Sequence, residues 1–193
     1  MEDPIQLVSV IDEPTAKSNV MTSARTVFLL LLLIVTGLYA GIHFSGMLNP
    51  SIFGIINPAG DLMPSVRWAE SWQITDRFMG ARMRIFGPFI MASYVLTIGL
   101  FIGQWRKPIL WLLVSALALF FYDLYFTIQH QVPINQYIQT LHFDHLSSDQ
   151  IRKIKLIHPI VIANFQKREL LSIGSFILVA LTPFLRRTNS KGI

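Results

Sequence analysis

The distribution of charge constrains this chain more than any other feature: residues 26–60, 85–105, 108–122 and 170–185 contain no Asp, Glu, Lys or Arg. A helix crosses the ~30 Å hydrocarbon core of a bilayer with about 20 apolar residues, and each run is near or above that scale. Soluble domains carry about a quarter charged residues, whereas this chain carries 14%, with 52% hydrophobic. The pattern predicts an all-α, integral membrane four-helix bundle, with short interfacial helices in the long loops.

Spans are expected at about 26–47, 85–104, 109–130 and 160–185, making one membrane domain over 26–187 between polar tails at 1–25 and 188–193. The first run is too long for the apolar part of a signal peptide and follows the acidic Glu2 and Asp3, so it reads as a retained span. Asn49-Pro50 and Asn57-Pro58-Ala59-Gly60 then stop a helix twice. From Ser65 onward, Trp68, Trp72 and Phe78 alternate with Arg67, Glu70, Asp76 and Arg77, which suits an interfacial helix climbing into span two. Pro88 reads as a kink or cap there. Arg106-Lys107-Pro108 is too short a link for anything but antiparallel neighbours. Ser147 and Gln150 form a capping-box pattern at the start of a short helix, and span four follows His158-Pro159. Gly37 and Gly41 make a G-x-x-x-G helix-packing motif in span one.

Four spans place both termini and the 104–108 turn on one side, the tail side, and both long loops on the other, the loop side. Seven of the Lys and Arg residues lie on the tail side and nine elsewhere, so the positive-inside rule is nearly balanced. If Arg168 and the arginines at the start of span two face the bundle interior, the balance favours a cytoplasmic tail side.

The absence of cysteine excludes thiolate nucleophiles, disulfide exchange, Fe–S clusters and Cys-ligated zinc. The net charge of +5 sits in clusters beside apolar spans, where the partner is the lipid bilayer and not nucleic acid. Phosphate-loop, dinucleotide, nucleophile-elbow and terminal lipidation motifs do not occur. His43, Asp123 and His130, and in the second loop His142, Asp144 and His145, are metal-ligand types without a recognised ligand spacing. No metal is assigned, and cofactor and oligomeric state stay open.

Polar groups inside apolar spans are costly and are functional candidates by default. Counted from the tail side at about 1.5 Å per residue, His43, Asp123 and Arg168 fall roughly 22 to 26 Å up, and Arg84, His130 and Asn164 roughly 30 to 33 Å. Asp123, Thr127 and His130 share one helical face at i, i+4 and i+7. Asn164, Arg168, Ser172 and Ser175 make a stripe on span four, Thr36, Tyr39 and His43 one on span one, and Arg77 and Arg84 one on span two. The stripes predict one cavity, open toward the loop side, faced by His43, Asp123, His130, Asn164 and Arg168, with Asn135 in its lid. A structural ion pair of Asp123 with Arg84 or Arg168 is the competing reading.

The Gly-Leu-Tyr-Ala-Gly run followed by Asn49-Pro50, the Val132-Pro133-Ile134-Asn135 turn, and Asn164 to Arg168 followed by Leu170 and Leu171 resemble the anthrone oxygenase-like family of small four-span membrane proteins. The resemblance spans about residues 26 to 186. It implies a four-helix membrane bundle and, from the few characterised fungal members, oxidation of an anthrone to an anthraquinone by molecular oxygen with no established cofactor. The expected function is an oxidoreductase acting on a hydrophobic aromatic small molecule. His43 or His130 would take a proton and Arg84 or Arg168 would stabilise the anion, while Tyr39, Asp123, Thr127, Asn135 and Asn164 would contact the substrate. The alternative is a non-catalytic membrane component, a partner subunit or small-molecule carrier.

Overall fold

The computed structural model describes residues 13–49 and 63–188, which form five α-helices with no strand among the described residues. The tail at 1–12, Pro50, the 57–60 turn and residues 189–193 lie outside the described residues. The helices are α1 (Glu13–Leu48), α2 (Ser65–Phe101), α3 (Pro108–Phe126), α4 (Val132–Gln139) and α5 (Ser148–Thr188). Among the described residues, four segments are long and apolar enough to cross a membrane: Asn19–Leu48, Ser65–Gln104, Pro108–Gln139 and Ser148–Leu185. The molecule is an all-α four-helix bundle of membrane-spanning character.

The helical segments expected in the loops are present, but they are the ends of long helices. At about 1.5 Å per residue, α2 runs about 55 Å and α5 runs about 60 Å, roughly twice the hydrocarbon thickness. The capping box that starts α5 is formed: the Ser147 backbone N–H donates to Gln150 Oε1 at 2.8 Å, and the Gln150 N–H donates to Ser147 Oγ at 3.2 Å. Pro159 does not begin a span; α5 runs straight through it. Its missing N–H orphans the carbonyl of Lys155. Both residues are exposed, so outside groups can satisfy that oxygen. Pro88 is likewise internal to α2.

α1 packs on α2 and α5, and α3 packs chiefly on α5, so the four long helices close a ring. The link from α2 to α3 is tight, with the Lys107 N–H donating to Gln104 O at 2.8 Å. Two apolar cores result. Toward the tail side, Leu32, Ile90, Tyr94, Phe101, Leu113 and Phe120 fill the bundle. Toward the loop side, Trp68, Trp72, Ile138, Ile154, Val161 and Phe165 join the extensions of α2 and α5 to α4. Of the two glycines of the G-x-x-x-G motif, Gly37 serves close packing: a Cβ there would meet the Phe176 ring at 3.2 Å. Gly41 has nothing within 4 Å of that position and is exposed, so the motif acts through its first residue.

Between α3 and α4 the chain makes a π turn over Thr127–Gln131, with the Val132 N–H donating to Thr127 O. Pro133 accounts for it. Proline cannot donate to the carbonyl four residues back, and its ring clashes with that carbonyl. Widening the turn by one residue relieves the clash and keeps the helix path continuous.

Candidate functional site

A cavity of about 640 Å³ lies where the two cores meet. Its size is in the usual range for small-molecule sites. One face of α2 forms its longest wall: Asp76, Gly80, Met83, Gly87 and Met91 recur at three- and four-residue steps. Gly87 opens this wall, since nothing lies within 4 Å of a Cβ built there. α1 contributes Ile42 and His43, α3 and the π turn contribute Leu124, Thr127, Ile128 and Gln131, and α5 contributes Phe165 and Arg168. The lining is mainly apolar, with His43, Asp76, Arg84, Thr127, Gln131, Asn135 and Arg168 as its polar groups.

The inner polar cluster ties three helices. Arg168 Nε donates to Asp123 Oδ1 at 2.9 Å, and Arg168 Nη2 donates to the Tyr39 hydroxyl oxygen at 3.2 Å. The Tyr39 hydroxyl in turn donates to Asp123 Oδ2. Asp123 is fully buried, while the Arg168 side chain keeps 15% of its surface and reaches the cavity. Nε and Nη2 are occupied, and Nη1 makes no hydrogen bond among the described residues. The guanidinium is held from behind and presents a free donor edge. His43 is 3% exposed, its ring lies edge-on to Tyr39 at 4.9 Å, and its Nδ1 has no hydrogen-bond partner.

An outer cluster closes the loop-side end. Asn135 Nδ2 donates to Asp76 Oδ1 at 2.5 Å, and Asn135 Oδ1 accepts from Trp72 Nε1 at 3.0 Å and Gln131 Nε2 at 2.8 Å. Gln139 Nε2 donates to Asp76 Oδ2 at 3.2 Å, and Asn164 Nδ2 donates to Gln131 Oε1 at 3.3 Å. Above these groups sits the loop-side apolar core. The expectation of an opening toward the loop side is therefore corrected. The exposed lining residues are Arg84, Pro88, Leu124 and Ile128, all on α2 and α3 or the turn that follows it, so the mouth lies sideways between those two helices.

The structure brings His43, Arg168, Thr127, Asn135 and Arg84 to the cavity, Arg84 at the mouth with its Nε donating to Gly80 O at 3.3 Å. Tyr39 and Asp123 sit behind Arg168 and do not line the cavity, and Asn164 reaches it through Gln131. His130 is a correction: it is exposed, packs on Phe126 at 4.6 Å and is absent from the lining. The π turn shifts the register by one residue, so Gln131, 2% exposed, takes the inward place. Arg77 also turns outward, its Nε donating to Gln139 Oε1 at 2.7 Å. No three His, Asp or Glu side chains converge as a metal-holding group among the described residues, the 142–145 segment included.

Asp76, Trp72, Gln131 and the α2 glycines lie outside the set of site residues expected from the sequence. The seven-residue spacing of Gly80 and Gly87, in line with Asp76 and Met83, is the signal that marks this wall. Comparisons with models of known families, with curated proteins and with solved structures give no match.

Proposed function

We propose that this chain is a membrane oxidoreductase that takes a hydrophobic aromatic carbonyl compound into the lateral cavity and oxidises it with molecular oxygen, in the manner of the anthrone oxygenase-like family. The observation that carries the reading is that the imidazole of His43 and the guanidinium of Arg168, the latter anchored by Asp123, line the same cavity. A methylene flanked by aromatic rings and opposite a carbonyl is acidic enough for an imidazole base in a dry site. His43 takes one methylene proton, and the electron pair spreads onto the substrate oxygen, which accepts from Arg168 Nη1. Asp123 and Tyr39 hold that guanidinium in place. The carbanion then meets oxygen. The two C–H bonds are replaced by a C=O, and the second oxygen atom leaves as water, so one O2 is consumed per carbonyl formed.

Anthrone turnover by the purified chain in nanodiscs, followed by anthraquinone absorbance, tests this. Wild type is expected to exceed the uncatalysed background, and His43→Phe to bind without turning over. The carrier reading is favoured by the completeness of the inner cluster, in which Asp123 satisfies Arg168 and little cationic excess remains at the cavity beyond Arg84. It predicts binding with background-level oxidation in both proteins.

A cytoplasmic tail side is part of the proposal. Arg77, Arg82 and Arg84 are exposed, so Arg168 alone withdraws into the bundle. Support comes instead from Arg106, Lys107, Arg186 and Arg187, which sit directly at the ends of apolar runs.

A further inference from the structure

A groove on the outer face of the bundle lies beside the cavity, on the same α2–α3 side as its mouth. The groove encloses about 540 Å³ and shares Met91 with the cavity. It follows α3 from Tyr125 through Phe121 and Ala118 to Val114. That stretch is about 16 Å of helix. Ala118 is the smallest side chain of its lining, beside the exposed Phe121, Tyr122 and Tyr125. Its lining is apolar except for the two tyrosine hydroxyls.

Depth gives this groove a direction. Counted from Pro108, the mouth at Leu124 and Ile128 stands roughly 24 to 30 Å above the tail-side end of α3, near the loop-side edge of the hydrocarbon. Tyr122 and Tyr125 are at the level where aromatic belts mark that edge. The groove descends from there toward the bilayer centre. A cavity that carries polar groups near the interface, with an apolar track running inward, is the arrangement of an amphiphile lying parallel to its lipid neighbours.

We propose that the ligand of the cavity is such an amphiphile: a flat carbonyl-bearing head held near Arg168 and His43, with one linear apolar chain that leaves by the α2–α3 mouth and lies along α3. This rests on the function proposed for the cavity and specifies its substrate class. Lipid tails are as apolar as the groove, so the chain gains packing contacts there and not hydrophobic transfer energy. The cavity methionines Met79, Met83 and Met91 can adapt to heads of differing outline.

The full chain in dioleoylphosphatidylcholine nanodiscs, titrated with anthraquinone and with an anthraquinone carrying a dodecyl chain, separates the possibilities. Ala118→Trp fills the groove on an exposed face, and Ser115→Trp is the control on an exposed position outside it. Ala118→Trp should weaken the chain-bearing probe about tenfold, leave the chainless probe unchanged, and have no counterpart in Ser115→Trp. Equal affinities for the chain-bearing probe in wild type and Ala118→Trp would overturn the proposal, since the chain would then lie free in lipid or the groove would hold bulk acyl chains. Wild type that binds neither probe would instead remove the cavity reading and this inference with it. A diazirine at the chain end gives a second readout: label on α3 between Val114 and Tyr125 supports the track, and label on α1 or α5 contradicts it.

Discussion

At the scale of single residues, the inner cluster shows why a charged group is kept in an apolar bundle. Asp123 is completely buried, and its two carboxylate oxygens take hydrogen bonds from Arg168 and Tyr39. Removing one partner of such a pair leaves an uncompensated charge, which costs more than removing both. Arg168→Ala should therefore lose roughly 3 to 5 kcal/mol of stability, whereas a double Arg168→Leu, Asp123→Leu variant should recover most of it. Thermal unfolding in one detergent measures both, and additive losses in the double variant would contradict a structural pair. The competing reading of the sequence, an Asp123–Arg168 ion pair, is thus present together with the cavity. These residues are legible in the sequence because charge inside an apolar run stands out. Asp76 and Trp72 are not, because the charge-rich stretch 65–84 reads as an interface helix and hides an inward face.

At the scale of elements, the π turn decides which side chains serve the site. Regular α spacing from Asp123 puts His130 inside, and the extra residue puts Gln131 there instead. Gln131→Ala should cost about 1 to 3 kcal/mol, because Asn164 loses its acceptor in a buried setting. His130→Ala should stay within about 0.5 kcal/mol of wild type, as exposed substitutions do. Reversal of that order in a thermal-shift comparison would restore the regular register. Pro133 is visible in the sequence, but proline can kink, cap or widen a helix, and choosing among these requires the packing partners. The glycine pair carries a similar contrast: Gly37→Ile should lower the thermal midpoint by disturbing the α1–α5 contact through Phe176, and Gly41→Ile should not. Both glycines fit the same motif, and only their position against a neighbouring helix separates them. The continuity of α5 escapes the sequence for a related reason, since Pro159 can end a helix or be carried inside one, and the sequence around it does not choose.

At the scale of the molecule, two stacked cores leave a cavity where they meet, walled by α2 and open sideways between α2 and α3. Four spans and their antiparallel order follow from the runs without charge. The lateral mouth does not, because it depends on where α2 and α3 part. The central claim is that this cavity holds an apolar carbonyl compound delivered from the bilayer. Mass spectrometry of small molecules retained by the detergent-purified chain, compared with Gly87→Trp, tests it most directly, since Gly87 opens into free space on the cavity wall. The account predicts an aromatic or quinone-like compound at near one-to-one ratio in wild type, absent from Gly87→Trp at unchanged thermal stability. The same complement of bound molecules in both proteins would contradict it.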